Sequence, residues 1–183
     1  MSPVAPPPLT LRLAVPGDLP AIGALIPRSV RGLSRACYSP AQIEGALRHV
    51  FGPDTQLIAD GTYFVLADGA ELAGCGGWSR RRTLYGGDQM KAAEDPLLDP
   101  ATEPARIRAF FVAPERARQG LGSRLLAASL EAAAAAGFHA AELVATLPGE
   151  RLYAAHGFVT IERIPAQLPD GVTIPFVRMR RTL

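Results

Sequence analysis

Lysine, cysteine and histidine are scarce in this sequence, and their scarcity excludes several classes of protein. Lys91 is the only lysine, and the formal net charge of the 183 residues is only +2. A nucleic-acid-binding module that uses the arginines would carry a stronger basic excess. The only cysteines, Cys37 and Cys75, lie far apart, and together with three histidines they lack the spacing of a metal site. We therefore expect no metal, no nucleic acid and two reduced, buried thiols.

Long hydrophobic runs are also missing. No stretch reaches the roughly 18 apolar residues of a membrane-spanning helix, and the N-terminus lacks the basic-then-apolar pattern of a signal peptide. These absences predict a cytoplasmic protein with no membrane partner. Residues 1–8 are rich in proline and predict a disordered lead-in. Residues 9–183 have the composition of a single globular domain.

Hydrophobic periodicity and turn signals predict an α/β fold. Strands are predicted at Leu9–Val15, on both sides of an Asp68-Gly69 turn within Thr62–Ser79, and at Arg106–Val112, His139–Ala145, Phe158–Ile164 and Val172–Met179. Helices are predicted after Asp18 and at Ser39–Phe51, Leu121–Ala136 and Gly149–His156, with a polar loop at Ser29–Tyr38 and a long irregular segment at Arg80–Pro104. This order indicates a mixed sheet with one β-α-β crossover and helices on both faces.

The crossover contains the most informative stretch, PERARQGLGSRLL, in which Gly120 and Gly122 stand where a helix begins. Glycine lets the backbone approach a ligand closely. The first turn of a helix supplies free N–H donors and the positive end of the helix dipole. Arg116, Arg118 and Arg124 add positive charge, so the pattern favours a phosphate or pyrophosphate site. The stretch fits neither a Walker loop nor a dinucleotide fingerprint, and glycine-rich helix starts also occur in proteins without a ligand.

Two motifs resemble those of the GCN5-related N-acetyltransferase (GNAT) family. FFVAPERARQGLGSRLL, Phe110–Leu126, is similar to the family's acyl-CoA-binding signature, although Ala117 stands where the family often has Arg or Gln. LYAAHGF, Leu152–Phe158, is similar to its Leu-Tyr-x-x-x-Gly-Phe element. The resemblance covers Leu9 to Met179 and points to a bacterial subgroup whose substrates it does not name. It implies a twisted mixed sheet of about six or seven strands flanked by about four helices, with a central β-α-β acyl-CoA-binding unit.

The resemblance implies acetyl transfer from acetyl-CoA to a primary amine of a small molecule by direct attack. The family grips pyrophosphate with the glycine loop and pairs the pantetheine arm with the strand ending at Val112, whose backbone N–H groups would stabilise the thioester oxyanion. The cofactor-binding residues implied are Phe110, Phe111, Val112, Ala117, Arg118, Gln119, Gly120, Leu121, Gly122, Ser123 and Thr146. Thr146 stands where the family often has Asn, and a threonine there could equally cap the next helix.

Tyr153 matches the family tyrosine that protonates the departing thiolate, and the other reading of Tyr153 is packing on the sheet. A thiol pKa of about 8.5 and a phenol pKa of about 10 make that proton transfer nearly balanced. The family often places a Glu base where this chain has Arg106. Glu103, Asp88, Glu142 or a water relay remain as alternatives for the base.

Acceptor-side candidates are Arg31 and Tyr38 in the predicted loop, and Trp78 and Arg80 at the end of the hairpin. The arginine run there is either a solvated charge cluster or a wall for an acidic substrate. Many relatives dimerise through terminal strands, so Val172–Met179 is a candidate contact in a homodimer. The missing strand carboxylate keeps open a rival hypothesis, a non-catalytic acyl-CoA-binding regulatory protein.

Overall fold

The computed structural model describes residues 8–183, so most of the predicted disordered lead-in, residues 1–7, lies outside the described residues. The strands are β1 Thr10–Leu13, β2 Tyr63–Asp68, β3 Glu71–Ser79, β4 Ala105–Val112, β5 Ala140–Thr146, β6 Val159–Gln167 and β7 Thr173–Thr182. The helices are α1 Leu19–Leu33, α2 Pro40–His49, α3 Thr55–Ala59, α4 Leu121–Ala135 and α5 Glu150–Ala155. The strands form one sheet of 7 strands in the order β1-β2-β3-β4-β5-β7-β6. Its β4–β5 pair is parallel and its other pairs are antiparallel, as the single crossover predicts.

Local signals placed most of these elements correctly. Gly69 adopts a φ of +60° in the turn between β2 and β3, a conformation that glycine accepts without strain. Ser39 caps α2, because its Oγ accepts a hydrogen bond from Gln42 N–H at 3.2 Å. In turn, Gln42 Oε1 accepts a hydrogen bond from Ser39 N–H at 2.9 Å. The hairpin and the capping box are therefore confirmed.

The sequence analysis misplaced one boundary and missed one helix. The predicted loop Ser29–Tyr38 begins inside α1, which continues to Leu33, because Ser29 and Val30 extend the buried face that Ile22, Leu25 and Ile26 begin. Helix α3 was not predicted, and it raises the number of α-helices above the expected four. Its N-terminus is capped by Asp54, whose carboxylate accepts a hydrogen bond from Leu57 N–H at 3.2 Å.

The sheet buries apolar side chains on both faces. One core cluster lies under α1 and α2 and contains Ile22, Leu25 and Phe176. Another lies beside α4 and α5 and contains Leu126, Phe138 and Tyr153. Both cysteines are free thiols, but only Cys75 is buried; Cys37 is exposed, which corrects the expectation of two buried thiols.

Strand β7 lies between β5 and β6. The predicted dimer contact Val172–Met179 falls mostly in this strand, where β6 pairs with Thr173–Arg180 and β5 pairs with Phe176–Thr182. The unpaired outer edge at this end of the sheet belongs to β6, and the homodimer contact stays a prediction. No helix within residues 8–183 is both long enough and apolar enough to cross a lipid bilayer.

An ionic cluster lies where β4 and β5 run side by side. Glu142 on β5 is 2 % exposed. It accepts hydrogen bonds from Arg106 on β4 and from Arg178 on β7, the latter at 2.6 Å. Burial lowers the pKa of Arg106, and the charge of Glu142 opposes that effect. The buried carboxylate therefore compensates the Arg106 guanidinium.

Replacing Glu142 with alanine should lower the free energy of unfolding by about 3–5 kcal/mol, because it leaves the buried Arg106 without its partner. The matched control is Glu44→Ala, which breaks an ion pair whose Arg31 and Glu44 side chains are 50 % and 48 % exposed. Its cost should be far smaller, because solvent screens an exposed ion pair. Urea denaturation of both variants at neutral pH measures the two values, and equal losses would contradict this account of the cluster.

Candidate active site

A cleft opens where β4 separates from β5. The two strands pair only at Ala105–Ala141 and Arg106–Glu142. Beyond that point β4 carries a bulge, in which Ala109 and Phe110 oppose the single residue Gly76 of β3. Ala109 has a φ of +57°. The Tyr63 hydroxyl holds this residue by donating to the Ala109 carbonyl at 3.0 Å, so the bulge directs β4 away from β5.

The cleft brings together almost all of the predicted cofactor-binding residues. It encloses about 1710 Å³ of space open to solvent. Its lining includes the predicted residues Phe110, Phe111, Val112, Ala117, Arg118, Gly120, Leu121, Gly122, Ser123, Thr146 and Tyr153. Gln119 lies between lining residues but is not among them.

The loop before α4 presents unpaired backbone donors. Gly120 adopts a φ of +77° and Arg118 a φ of +62°, which turns the chain sharply into the helix. The N–H groups from Arg118 to Ser123 donate to no acceptor within residues 8–183; the first bond of the helix is Arg124 N–H to Gly120 carbonyl, at 3.0 Å. These donors and the positive end of α4 make a receptor for an anion.

The two loop glycines have different physical roles. A Cβ on Gly120 would meet no atom within 4 Å, so its side of the loop faces open space and only its positive φ demands glycine. A Cβ on Gly122 would lie 2.9 Å from Leu152 Cδ2, so this glycine allows α4 to pack against α5. His156 Nε2 also lies 2.9 Å from Ser123 Oγ, which joins the end of α5 to the loop.

The arginines around the loop are not equivalent. Arg116 forms an ion pair with Asp68, and Arg124 donates to the Leu9 carbonyl at 3.3 Å. Arg118 and Arg151 are exposed, line the cleft and form no ion pair within the described part of the chain. Arg151 was not predicted from the sequence, although its place two residues before Tyr153 was a usable signal. The free positive charge at the cleft therefore comes from Arg118 and Arg151.

The predicted oxyanion donor needs a correction. The Val112 N–H donates to Ser29 Oγ at 3.1 Å, so α1 already occupies it. Phe110 lies two residues earlier, in the bulge, where the ladder with β3 is interrupted. Strand β5 pairs with β4 no further than Arg106. Phe110 N–H is therefore the candidate donor at the cleft, and the Phe110 ring packs over Gly76 in the space that a Cβ would fill.

Tyr153 lies at the inner end of the cleft. It is 8 % exposed, and its ring packs edge-on against Phe110 and Phe158, with centroid distances of 6.1 and 5.9 Å. Burial raises the pKa of the phenol well above its usual value. Its hydroxyl has no hydrogen-bond partner among residues 8–183. Thr146 lines the same end of the cleft, and its Oγ1 accepts from Gly149 N–H at 3.2 Å in the turn before α5.

The four predicted acceptor residues lie elsewhere, which corrects that part of the prediction. Trp78 is 3 % exposed and packs on Phe138 in the core, because β3 is covered on both faces. The Arg80 guanidinium stacks 5.2 Å from the Trp78 ring centroid. Arg31 forms an exposed ion pair with Glu44. Tyr38 is buried, and its hydroxyl donates to Pro175 carbonyl at 2.7 Å and accepts from Leu147 N–H at 2.9 Å.

A second cavity, which we call the inner pocket, continues from the cleft beneath Phe110 and Tyr153. It comprises about 650 Å³ of space, which includes the part open to the cleft and to solvent. Phe51, Phe110, Phe111, Thr146 and Tyr153 line both the cleft and the inner pocket. The remaining inner-pocket lining includes Tyr85 and Phe176, and no Asp or Glu side chain lines it.

The carboxylates considered as the base are all engaged outside this pocket. Asp88 accepts from Thr55 N–H at 3.0 Å and pairs with Lys91 at 3.3 Å. Glu103 accepts from Asp99 N–H at 2.8 Å, and Glu142 is buried between two arginines. In the described part of the chain, no cluster of His, Cys, Asp and Glu is suited to hold a metal ion.

Solved structures with the same fold are similar over nearly the whole chain. A GCN5-related N-acetyltransferase from Rhodopseudomonas palustris is 19 % identical with a TM-score of 0.71, covering 98 % of this chain and 99 % of that one. A GCN5-related N-acetyltransferase from Kribbella flavida is 21 % identical with a TM-score of 0.61, covering 98 % and 100 %. The PaiA N-acetyltransferase from Thermoplasma acidophilum, solved in complex with coenzyme A, is 13 % identical with a TM-score of 0.62, covering 96 % and 99 %.

No curated protein sequence matches the chain significantly. The family model described as the acetyltransferase (GNAT) family matches residues 29–158, which include β4, the glycine loop, α4 and Tyr153. With this match over most of the chain, and with the split sheet and the open loop donors that the two motifs predict, the protein belongs to the GNAT family of acetyltransferases.

Proposed function

We propose that this protein transfers the acetyl group of acetyl-CoA to a primary amine of a small molecule by direct attack. The observation that carries the proposal is the run of unpartnered backbone N–H groups from Arg118 to Ser123 at the start of α4. Such a run costs free energy unless water or a ligand accepts its hydrogen bonds. The diphosphate of coenzyme A has the charge and the oxygens to do so.

The cofactor arm fits the open side of β4. Beyond Arg106, the edge of β4 that would face β5 has no strand partner, and apart from Val112 N–H it is open to the amides of a pantetheine chain, as to an added strand. Arg118 and Arg151 lie at the outer end of the cleft and Tyr153 at its inner end. In this proposal, the thioester lies beside Phe110 N–H when the diphosphate lies on the loop. A relative solved with coenzyme A supports this type of ligand.

Two groups of the chain then act on the reacting atoms. Phe110 N–H donates to the thioester oxygen as negative charge develops there, and it is held ready by the bulge. The amine nitrogen forms the new N–C bond while the C–S bond breaks. Tyr153 gives its proton to the leaving sulfur, and the proton released by the attacking amine passes through solvent to restore the phenol. Because burial raises the pKa of Tyr153, the phenol stays protonated at neutral and mildly alkaline pH.

The loop assignment predicts the effect of Gly120→Val on cofactor binding. Valine at a φ of +77° is strained, and its side chain would project into open space on the ligand side of the loop. We expect the increase in melting temperature caused by acetyl-CoA to disappear. Gly171→Val is the matched control, because Gly171 also has a positive φ of +84° with no atom within 4 Å, in the turn between β6 and β7.

Both valine variants should melt earlier than the wild type, since both are strained. Only the control should keep the full acetyl-CoA shift. A Gly120→Val protein that responds to acetyl-CoA like the control would show that the diphosphate lies elsewhere.

The acid assignment predicts the effect of Tyr153→Phe. Removing the hydroxyl should lower kcat about 10²–10⁴-fold, the usual contribution of a positioned acid. The KM for acetyl-CoA should stay within about twofold, because the ring keeps its packing on Phe110 and Phe158. Steady-state release of the coenzyme A thiol measures both constants, and an unchanged kcat would remove Tyr153 from the mechanism.

A wild-type protein that binds acetyl-CoA but releases no thiol with any amine would instead favour the non-catalytic acyl-CoA-binding alternative.

A further inference from the structure

The inner pocket has aromatic walls. Phe51 lies edge-on to Phe111 at a centroid distance of 5.9 Å and 6.0 Å from Phe176. Tyr85 lies edge-on to Phe176 at 5.7 Å. Phe110 and Tyr153 close the side that the pocket shares with the cleft. A ligand bound here therefore contacts aromatic rings as well as Arg108 and Thr146, and in the proposed complex it reaches the acetyl group.

The segment that carries Tyr85 is fixed against the rest of the pocket. The Arg108 guanidinium donates to the Thr83 carbonyl at 3.1 Å and to the Gly86 carbonyl, on either side of Tyr85. Gly87 N–H donates to the Val50 carbonyl at 2.8 Å, which joins the segment to the end of α2. The Tyr85 wall is therefore preorganised, and a ligand need not order it.

The charges around the inner pocket cancel. Arg108 lines the pocket, but it is 3 % exposed and its guanidinium lies 2.8 Å from Asp54. Asp54 also pairs with Lys91, which in turn pairs with Asp88. The titratable groups in the lining itself are Arg108, Tyr85 and Tyr153. The pocket therefore offers neither a free cation for a substrate carboxylate nor an anion for an ammonium group.

We propose that the inner pocket is the acceptor site, and that it takes a small primary amine with an apolar, ring-bearing body and no carboxylate. This inference rests on the proposed function and specifies its substrate class. Aromatic walls favour the ring by about 25 cal/mol for each Å² of apolar surface removed from water. A carboxylate would have to lose its water without gaining a cationic partner, because Arg108 is already paired with Asp54.

The apolar walls of the inner pocket also make a catalytic base unnecessary. An ammonium group that enters the pocket loses water, and the paired Arg108 beside it gives no compensating attraction. Desolvation therefore favours the neutral amine over the ammonium ion and lowers the pKa of the bound amine. The proton leaves to solvent as the amine binds, and the free lone pair attacks the thioester carbon. A carboxylate at the position of Arg106 is then unnecessary.

A matched pair of amines tests the substrate class. 2-Phenylethylamine and phenylalanine carry the same ring, and only phenylalanine has a carboxylate; 1,4-diaminobutane is the ring-free polar amine. Thiol release with acetyl-CoA should give 2-phenylethylamine a kcat/KM about 10–100-fold higher than either of the others. A preference for phenylalanine or the diamine would overturn the inference while leaving acetyl transfer to amines intact. Reaction with none of the three, despite binding of acetyl-CoA, would count against the proposed function itself.

The pH dependence separates desolvation from a carboxylate base. The kcat/KM profile reports the pKa of the free amine, and the kcat profile reports groups in the bound complex. With 2-phenylethylamine, both kcat and kcat/KM should rise with pH. The midpoint of the rise in kcat should lie at least one pH unit below the midpoint of the rise in kcat/KM. If the two midpoints coincide, the pocket does not lower the pKa of the bound amine.

A pair of variants links the preference to the pocket wall. Tyr85→Gln makes one wall polar and should reduce kcat/KM for 2-phenylethylamine about tenfold, with the acetyl-CoA thermal shift unchanged. Leu97→Gln is the matched control, because Leu97 belongs to the same connecting segment, is 59 % exposed and lies outside the pocket lining. Equal effects of the two substitutions would contradict the assignment.

The other occupant that an apolar pocket could take is a longer acyl chain. Higher kcat/KM with hexanoyl-CoA than with acetyl-CoA at saturating 2-phenylethylamine would therefore overturn the acceptor assignment. A preference for acetyl-CoA supports it, since the pocket is then filled by the amine.

Discussion

The separation of β4 from β5 is the feature on which the candidate site depends. The strands share only two residue pairs, after which the bulge at Ala109 turns β4 away. A sheet normally pairs its backbone donors completely, because a buried N–H without a partner is costly. Here the split leaves Phe110 without a partner on β5 and opens the cleft and the inner pocket. The Tyr63 hydroxyl on the Ala109 carbonyl helps to keep the bulge in place.

Backbone N–H groups without a partner in the described part of the protein also occur at the other end of the cleft. The loop before α4 uses positive φ angles at Arg118 and Gly120 to turn its amides outward. Most of the binding surface for the diphosphate is therefore main chain, and side-chain charge is limited to Arg118 and Arg151. This division explains how Ala117 can stand where relatives often have a polar residue. In the proposed complex, the anionic diphosphate of coenzyme A then lies at the start of α4, and the apolar part of the amine lies between the aromatic rings of the inner pocket.

What the sequence could predict was local. The hairpin, the capping box, the glycine loop and the strand ending at Val112 depend on residues close together in the chain, and the structure has them where they were expected. The acceptor residues could not be found in that way. Trp78 was assigned to the acceptor site because it lies beside a run of arginines. Strand β3 is covered on both faces, however, and the Trp78 side chain packs into the core. Phe51 and Tyr85 come together only through Arg108 and the packing on Phe176, contacts with no local signal. The contact of Ser29 with Val112 N–H was missed because α1 was predicted to end too early. The periodicity of the apolar residues could have corrected that boundary.

Amide hydrogen exchange with and without coenzyme A tests the central claim most directly. In the free protein, Val112 should already exchange slowly because Ser29 accepts its hydrogen bond, whereas Phe110 and the residues from Arg118 to Ser123 should exchange fast. The account predicts that coenzyme A slows exchange across Arg118 to Ser123, and that acetyl-CoA slows Phe110 as well. Protection of other segments, with these amides unchanged, would contradict it.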